Sequence, residues 1–489
     1  MKNLCLGLLT VLLLTACSED FLDKKPLVNQ TADTFFQTEA HAIQATNATY
    51  AMMRDWQVHV FSYIGLTDII SDDADKGSTA DDATFLRELD EFTFDASNIG
   101  PSSVWSGYYR AIYRANVAIT NIPNVDMEED LRGRLIAENR FLRAYFYFNL
   151  VRWFDDVPLI LEPLAADEFD QARTPTDQVY AQIIADFEAA EAVLPTKSAY
   201  PASDLGRATS GAAAAFLAKV YLTRQDFPAA LAAAERVIDS GEYELLPDYA
   251  TIFLPEGEHS SGSIFEVGAV ALGTGGGGSQ YNEVQGVRGT PNLGWGFNRP
   301  SNDLVASFPS NDPRLEATIF TVGEVLPDGS EVIVGDPGVA NQRQNQKAWV
   351  PEHAGGNGNG PGNIRILRYA DVLLIAAEAA NELDHLDEAL AYANRVRTRA
   401  RGNLPPAFLP DVSAADKVSA RLAIWNERRW ELAMEQQRWF DLVRQGRAAA
   451  RMEAVGKEQF VPGKHELMPI PQSEIDLSGG ALTQNSGYD

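Results

Sequence analysis

The sequence predicts a mostly α-helical protein in which helix pairs form a scaffold, interrupted by an irregular region of glycine-rich loops and short strands. Three observations predict this fold class. Apolar residues recur at helical spacing over long stretches, two alanine-rich segments far apart in the chain match each other, and glycine is concentrated in one long segment between them.

Two apolar stripes before residue 150 indicate long helices. The first consists of Tyr109, Ile112, Tyr113 and Val117, and the stronger second one of Phe141, Ala144, Tyr145 and Phe148. Steps of three and four residues place each set on one helical face. The second helix should end in residues 155–158, because the residue before Pro158 is steered away from helical geometry.

The stretch "RTPTDQVYAQIIADFEAAEAVLP" contains signals for both ends of a third helix. Thr174 is the predicted cap, Pro175 suits the first helical position, and Pro195 ends the helix. Its apolar stripe consists of Tyr180, Ile183, Phe187, Ala190 and Leu194.

The matching segments are "ALAAAERV", starting at Ala230, and "ALAYANRV", starting at Ala389. Each follows an alanine-rich helix and a short polar turn, so each predicts an antiparallel helix pair like a tetratricopeptide unit. The copies are not adjacent, which indicates a helical scaffold, residues 34–253 and 364–450, that carries an insertion at 254–363 and a C-terminal segment at 451–489.

The insertion contains "GTGGGG", "NLGWGFNRP" and "GGNGNGPGN" between strand-like runs such as 264–270 and 332–334. Glycine at this density disfavours helices. A long irregular segment between regular elements is either functional or disordered, and the aromatic residues here favour order.

The N-terminus has the layout of a cleaved export signal over residues 1–16. Lys2 precedes an apolar run, residues 4–14, that is too short to span a bilayer. The following Leu-Thr-Ala-Cys resembles the lipobox of bacterial lipoproteins, which would make Cys17 the lipidated first residue of the mature protein. Only Cys5 and Cys17 exist, so removal of the signal leaves one cysteine and no disulfide.

Composition and motifs narrow the classes of function. A net charge of -28 argues against nucleic acid and anionic membrane surfaces as partners. Gly273, Gly275 and Gly278 satisfy a literal GxGxxG, but no helix follows to hold a pyrophosphate. His465-Glu466 lacks the second histidine of a zinc motif, and no GxSxG elbow occurs. These motifs therefore supply no nucleotide site, zinc site or serine nucleophile, and we expect no cofactor.

An acidic run occupies residues 68–82. It fails as an EF-hand calcium loop. Counted from Asp73, Gly77 occupies the fifth position, which needs a ligand, and Ser78 occupies the sixth, which needs a glycine, so no motif supports a structural calcium ion. We expect a solvated acidic loop. The other interpretation is that Asp72 and Asp73 accept hydrogen bonds from sugar hydroxyls.

The insertion supplies the other candidate ligand-binding residues, which are Tyr281, Trp295, Phe297, Asn298, Arg299 and Trp349. Aromatic faces can pack on a sugar ring while Asn and Arg reach its hydroxyls. Packing under a loop is at least as good an explanation for any one of these aromatics. Trp295 is the best candidate, because Gly294 and Gly296 leave its ring accessible.

In "IWNERRWELAMEQQRWFDLVR", Glu427, Glu431 and Glu435 recur at steps of four on one predicted helical face. Stacked carboxylates repel unless cations lie between them, and several arginines are near. This pattern favours an interhelical Arg/Glu network over a catalytic role.

Several of these segments together resemble the SusD/RagB family of outer-membrane lipoproteins. They are "CSEDFLDKKP", "RTPTDQVYAQIIADFEAAEAVLP", "GRATSGAAAAFLAKVYL", "RYADVLLIAAEAA", "IWNERRWELAMEQQRWFDLVR" and "HELMPIPQSEI" with "LTQNSGY". The resemblance runs from Cys17 to Tyr488 and is weakest in the insertion.

The resemblance implies a SusD-like scaffold of tetratricopeptide-like helix pairs with an irregular ligand-binding region. It also implies a surface-exposed lipoprotein, anchored in the outer membrane through Cys17, that captures oligosaccharide or polysaccharide and delivers it to a SusC-like TonB-dependent transporter. Members of this family are not enzymes, so the resemblance implies a protein without catalytic activity. Family ligand sites vary, so no binding residue is carried over. Three alternatives stay open: a peptide-capturing (RagB-like) member, a surface glycosidase, and a module that binds only the transporter.

Overall fold

The fold is known from a computed structural model, which describes residues 35–165, 167–270, 272, 277–351 and 360–488. The signal peptide, Cys17 and two of the three GxGxxG glycines therefore lie outside the described residues. The helices of the first half are α1 (Glu39–Met52), α2 (Trp56–His59), α3 (Phe61–Ile64), α4 (Thr84–Asp90), α5 (Ile99–Asn121), α6 (Glu129–Phe154), α7 (Thr176–Val193), α8 (Ser210–Thr223) and α9 (Phe227–Asp239).

Helix α6 is the centre of the main hydrophobic core and packs against both α5 and α7. Its predicted stripe is confirmed, since Phe141, Ala144, Tyr145 and Phe148 are all buried. The helix ends at Phe154, where Asp155 adopts a positive φ of 61°.

The prediction for α5 was partly wrong. Tyr113 is 58% exposed, whereas Val104, Tyr108, Ala111 and Ala115 are fully buried. These four residues follow the same helical spacing on a different face, and small alanines there allow close approach to the neighbouring helices.

Helix α7 has the predicted buried stripe, from Tyr180 to Leu194. Its predicted cap was wrong, because Pro175 occupies the N-cap position and Thr174 forms a β-bridge with Val157. The Thr174 hydroxyl accepts a hydrogen bond from the Leu159 N–H at 3.3 Å.

The helices after the insertion lie in the second half of the scaffold and in the C-terminal segment. They are α13 (Tyr369–Glu382), α14 (Leu386–Arg401), α15 (Lys417–Glu431), α16 (Arg438–Arg444), α17 (Ala448–Ala454) and α18 (Gln472–Leu477). Helices α8 and α9 pack together, as do α13 and α14, and α9 packs against α13. The two matching segments thus belong to helix pairs that are neighbours in space. The mostly helical fold predicted from the sequence is confirmed.

Short elements occupy the region between α9 and α13. They are β2 (Ser263–Val267), α10 (Tyr281–Gln285), β3 (Phe297–Pro300), α11 (Asn302–Ser307), α12 (Arg314–Thr318), β4 (Ile319–Phe320), β5 (Gln344–Asn345) and β6 (Ile364–Arg368). Strand β1 (Ala74–Gly77), from the acidic run, pairs antiparallel with β3. The pairs β2–β6 and β4–β5 are also antiparallel. Pairing of β1 with β3 places the acidic run beside the loop that carries Trp295.

The Arg/Glu network predicted from the C-terminal pattern is present and buried. Glu431 lies 2.9 Å from Arg368, 2.5 Å from Arg399 and 3.3 Å from Arg314. The three glutamates do not share one helix, because α15 ends at Glu431 and the backbone turns before Glu435. Glu435 instead pairs with Arg368 at 2.6 Å.

Within the described residues, no helix has the length and apolar character required to cross a bilayer.

The network gives the first testable prediction. Burial alone would raise the pKa of Glu431, but Arg399, Arg368 and Arg314 lower it to about 2. We expect Glu431→Gln, which leaves these guanidiniums without their shared charge, to lower the free energy of unfolding by about 3–5 kcal/mol near neutral pH. Stability from this carboxylate is present above its unfolded pKa of 4.5 and is lost as pH falls towards 2, so the effect should shrink in acid.

Denaturant unfolding at neutral and acid pH measures this effect. The matched control is Asp411→Asn, which breaks the Arg401–Asp411 pair; because this carboxylate is 59% exposed, its loss should cost no more than about 1 kcal/mol. Equal losses in the two variants would contradict the structural role of the buried network.

Candidate ligand-binding site

Five aromatic rings meet where α2, α3, α4 and the loop before β3 come together. Phe61 is the centre, and its ring centroid lies 5.2 Å from that of Trp56, 5.4 Å from Phe85, 5.9 Å from Trp295 and 4.9 Å from Phe297. We call these residues the Phe61 aromatic cluster. Trp56 is 40% exposed, and Phe85 and Trp295 are half-buried, so three rings reach the surface over two buried ones.

The backbone fixes Trp295 firmly. Its N–H donates to the Glu283 carbonyl at 2.8 Å, and the N–H of Gly296 donates to the Gly286 carbonyl at 3.1 Å. The loop is thereby attached to α10. An aromatic ring held in this way loses little conformational freedom when it binds a ligand.

Glycines 294 and 296 have a different role from the one predicted. A Cβ on Gly294 would lie 2.3 Å from the Glu283 carbonyl oxygen, and one on Gly296 would lie 2.6 Å from the Arg288 Cβ. Gly296 also has a positive φ of 71°. Gly294 therefore permits a close approach to the backbone of α10, and Gly296 permits the positive φ and the close packing of the Arg288 side chain; both roles concern the path of the loop that carries Trp295.

Trp56 stands at the start of α2, which Asp55 caps by accepting a hydrogen bond from the Gln57 N–H at 2.9 Å. Arg110, from α5, bonds to Gln57 and lies 3.4 Å from Asp55. Arg54 donates to the Gly277 carbonyl at 2.7 Å. Polar side chains thus flank Trp56 in the sequence, and we call Asp55, Gln57 and Arg110 the polar rim; their donors and acceptors are of the kind that bind hydroxyls.

Phe297, a predicted site residue, is only 3% exposed and supports Phe61 from below. Asn298 and Arg299 are fully buried. The Asn298 amide donates to Asp68 at 3.0 Å, and Arg299 Nε donates to the Gly296 carbonyl at 2.9 Å. These two polar side chains shape the loop and do not reach solvent in this structure.

Tyr281 and Trp349 are also interior residues. The Tyr281 hydroxyl donates to Gln436 Oε1 at 3.0 Å, and burial raises the pKa of that hydroxyl well above its usual range. Trp349 is 5% exposed and packs in a separate small core with Phe320 and Ile333. Both aromatic residues therefore pack in the interior, as the alternative explanation for the insertion's aromatics predicted.

The solvated acidic loop was a wrong prediction for the first part of the run, because Asp68, Asp72 and Asp73 are at most 2% exposed. Both oxygens of Asp72 accept hydrogen bonds from Arg438, at 2.7 and 2.8 Å. Asp72 also accepts from Arg451 at 2.7 Å.

Burial alone would raise the pKa of Asp72, but Arg438 and its neighbours hold it well below its usual range. Asp73 accepts from Arg429 at 2.7 Å. Arginines therefore bind both oxygens of Asp72 and the Oδ1 oxygen of Asp73, whereas the buried Oδ2 oxygen of Asp73 accepts no hydrogen bond from the described residues.

Sequence reasoning missed Trp56, Phe61 and Phe85. The three residues follow no common period and lie more than two hundred positions before Trp295. The aromatic content of "RDWQVHVFSYIG" was the available signal, but only the β1–β3 pairing brings that segment to Trp295. In the described part of the chain, no group of three or more His, Cys, Asp or Glu residues could hold a metal ion.

Comparison with known proteins defines the family to which this chain belongs. Residues 261–488 match the model of the SusD family, and residues 20–222 match a family described as starch-binding and associating with the outer membrane. The chain is 31% identical to SusD-like protein P2 of Formosa agariphila over 98% of both chains. The chain belongs to the SusD family.

Solved structures of this family are similar in fold. A laminarin-binding SusD-like protein is 31% identical, with a TM-score of 0.79 over 93% of this chain and 100% of its own. Surface glycan-binding protein A from Bacteroides thetaiotaomicron, in complex with laminarihexaose, is 25% identical, with a TM-score of 0.75 over 92% of this chain and 100% of its own.

The close approach at Gly296 generates a prediction. We expect Gly296→Ala to destabilise the protein by at least about 1 kcal/mol more than Gly456→Ala, because both place alanine at positive φ but only Gly296 has heavy atoms closer than 3 Å to the new Cβ. Gly456, with φ 75° and open space around it, isolates the backbone strain. Denaturant unfolding measures both variants, and equal effects would show that the loop does not need the contact.

Asp68 generates a prediction of pH dependence. Burial raises its pKa to about 7, against 3.8 for an ordinary aspartate, although hydrogen bonds from Asn298 and Gln436 lower it in part. Folding therefore favours the protonated form. The corresponding stability is fully present below pH 3.8 and is lost as pH rises through about 7.

Asp68→Asn cannot ionise, so its stability relative to the unsubstituted protein should improve as pH rises from 3.8 to about 7 and should level off above that. The measurement is the difference in unfolding free energy between the two proteins across this range. A difference independent of pH would show that Asp68 does not titrate there.

Proposed function

We propose that this chain is a cell-surface glycan-binding lipoprotein, and that it captures a neutral oligosaccharide or polysaccharide on the Phe61 aromatic cluster. The observation that carries the proposal is the group of three surface rings, Trp56, Phe85 and Trp295, held over a buried aromatic base and beside a polar rim. Family membership supports it, because the similar solved structures include a laminarin-binding protein and a complex with laminarihexaose.

The chemistry of the cluster suits a sugar chain. The faces of Trp56 and Trp295 provide apolar contact for sugar rings, and the Asp55, Gln57 and Arg110 side chains provide partners for hydroxyls. Each hydrogen bond to a sugar replaces one to water, so affinity per ring is low. The net charge of -28 disfavours a polyanionic glycan, and laminarin is the first ligand to test.

The proposal includes a place in a transport system. Lipid on Cys17 would keep the protein at the outer membrane and at high effective concentration beside a SusC-like TonB-dependent transporter, to which the glycan is delivered. In this scheme the scaffold, residues 34–253 and 364–450, supplies Trp56 and Phe85, the insertion at 254–363 supplies Trp295, and the C-terminal segment at 451–489 completes the domain.

The experiment is calorimetric titration of the full chain, purified in detergent, with laminarihexaose and with oligopeptides. Trp295→Ala and Trp56→Ala should each weaken laminarihexaose binding by about tenfold or more, because each removes a large contact face. Phe169→Ala is the matched control, since Phe169 is a 67% exposed aromatic outside the cluster and its loss should leave binding unchanged.

Thermal unfolding of each variant controls for loss of fold, and an assay for new reducing ends tests for hydrolysis. Equal effects of Phe169→Ala and Trp295→Ala on laminarihexaose affinity would show that the Phe61 aromatic cluster is not the binding site. Binding of peptides alone would identify a peptide-capturing member of the family, and new reducing ends would identify a glycosidase.

A further inference from the structure

A hairpin in the insertion, residues 321–336, has apolar residues on both of its faces. We call it the valine hairpin. Its two strands meet at an antiparallel bridge between Val325 and Val332. On its inner face, Leu326 and Ile333 are at most 4% exposed and belong to a small core of the insertion. The inner face therefore attaches the hairpin to the rest of the protein.

The outer face of the valine hairpin is apolar but uncovered. Val325 and Val332 form a pair without hydrogen bonds between them, so their side chains lie close together on one face. Val334, two residues after Val332, lies on the same face. These three valines, which we call the valine face, are between 50% and 61% exposed. A strand that is apolar on both faces is typical of one buried on both faces, yet the described part of the chain leaves the valine face open to solvent.

The valine hairpin also has backbone groups that are not used. In a pair of this kind, the N–H and C=O groups of both residues point away from the partner strand. Among the described residues, the N–H and C=O groups of Val325 and Val332 have no hydrogen-bond partner. An exposed strand edge with free groups is a surface to which an extended segment of another chain can add a strand.

The valine hairpin itself carries only negative charge. It contains Glu324, Asp328, Glu331 and Asp336 and no lysine or arginine. The Glu331 side chain is exposed and has no hydrogen-bond or ion-pair partner in the described part of the chain. Pairing of two copies of this hairpin would bring like charges together, and an anionic membrane surface would be repelled. A segment that carries lysine or arginine would be attracted.

We propose that the valine face is a docking surface for a protein partner, which contributes an extended segment with alternating apolar residues and a flanking lysine or arginine. The segment adds a strand beside Val325, whose N–H and C=O groups bind its backbone. Its apolar side chains pack beside the valines, and its cation pairs with Glu331. This docking does not depend on glycan binding.

The valine hairpin is linked to the loop that carries Trp295. Asp336, at the base of the hairpin, lies 3.0 Å from the Arg288 guanidinium. A Cβ on Gly296, the residue after Trp295, would lie 2.6 Å from the Cβ of the same arginine. Arg288 also pairs with Asp82, shortly before α4, at 2.8 Å. A partner docked on the valine hairpin would therefore stand beside segments that carry the Phe61 aromatic cluster.

The first test is nuclear magnetic resonance of the full chain in detergent with ¹³C-methyl-labelled valines. The probe is a short peptide of alternating valine and threonine with a lysine at each end, and Val325→Thr assigns the signal of interest. The peptide should shift the Val325 signal saturably and leave in place the signal of Val461, a 49% exposed valine outside the hairpin. A Val325 signal that stays fixed up to about 5 mM peptide, above the millimolar range of weak complexes, overturns the proposal.

A second peptide, with glutamate in place of both lysines, tests the charge of the partner. It should bind at least about threefold more weakly, because its ends and the carboxylates of the hairpin repel each other. Equal affinities of the two peptides would show that the surface does not select a basic partner and would overturn the proposal.

Two substitutions in the protein test the surface itself. Glu331→Gln removes the charge, and Val332→Thr keeps the branched shape but adds a hydroxyl. Each should weaken binding of the lysine peptide, followed through the Val325 signal, by about twofold or more. The matched controls are Glu453→Gln and Val461→Thr, at exposed positions outside the hairpin, which should leave binding unchanged. Equal effects of the substitutions and their controls overturn the proposal.

Analytical ultracentrifugation without peptide tests the other occupant, a second copy of this chain. A dimer that Val332→Thr dissociates would show that the valine face pairs with itself, and the proposal would be wrong. The docking proposal and the glycan proposal fail separately. Trp56→Ala and Trp295→Ala should weaken laminarihexaose binding and leave peptide binding unchanged, whereas Val332→Thr should do the reverse.

Discussion

Pairing of buried carboxylates with arginines from the opposite end of the chain holds this fold together. The Asp72 carboxylate oxygens lie 2.7 Å from guanidinium nitrogens of Arg438 and Arg451, and an Asp73 oxygen lies 2.7 Å from a guanidinium nitrogen of Arg429. Removing one partner of such a pair leaves an uncompensated buried charge, at a typical cost of about 3–5 kcal/mol. The segment after α3 is therefore attached to the C-terminal helices by charge as well as by apolar packing.

The candidate binding site depends on this attachment. The residues fixed by the arginines lead directly into β1, which pairs with β3, and β3 begins immediately after the loop that carries Trp295. Trp56 and Phe61 lie on the short helices just before the same acidic segment. Charge pairing on one side and strand pairing on the other thus hold these segments in place, which would lower the entropic cost of binding the proposed glycan.

Local patterns predicted the helices well and the site poorly. The buried apolar faces of α6 and α7 could be predicted, because helical periodicity is a property of residues that are neighbours in the sequence. Asp72 and Asp73 looked like a solvated loop, because nothing near them in sequence shows that arginines more than 350 residues away neutralise them. Trp295 was identified through its flanking glycines, although for a different reason, whereas its partner Phe61 is brought to it only by tertiary structure.

The most direct test of the account is a crystal structure of the protein grown with laminarihexaose. The account predicts sugar rings packed on the faces of Trp56 and Trp295, with hydroxyls bonded to the polar rim and the loop before β3 unmoved. A structure with no sugar on the Phe61 aromatic cluster at saturating laminarihexaose, whether or not sugar is bound at another surface, would contradict the account.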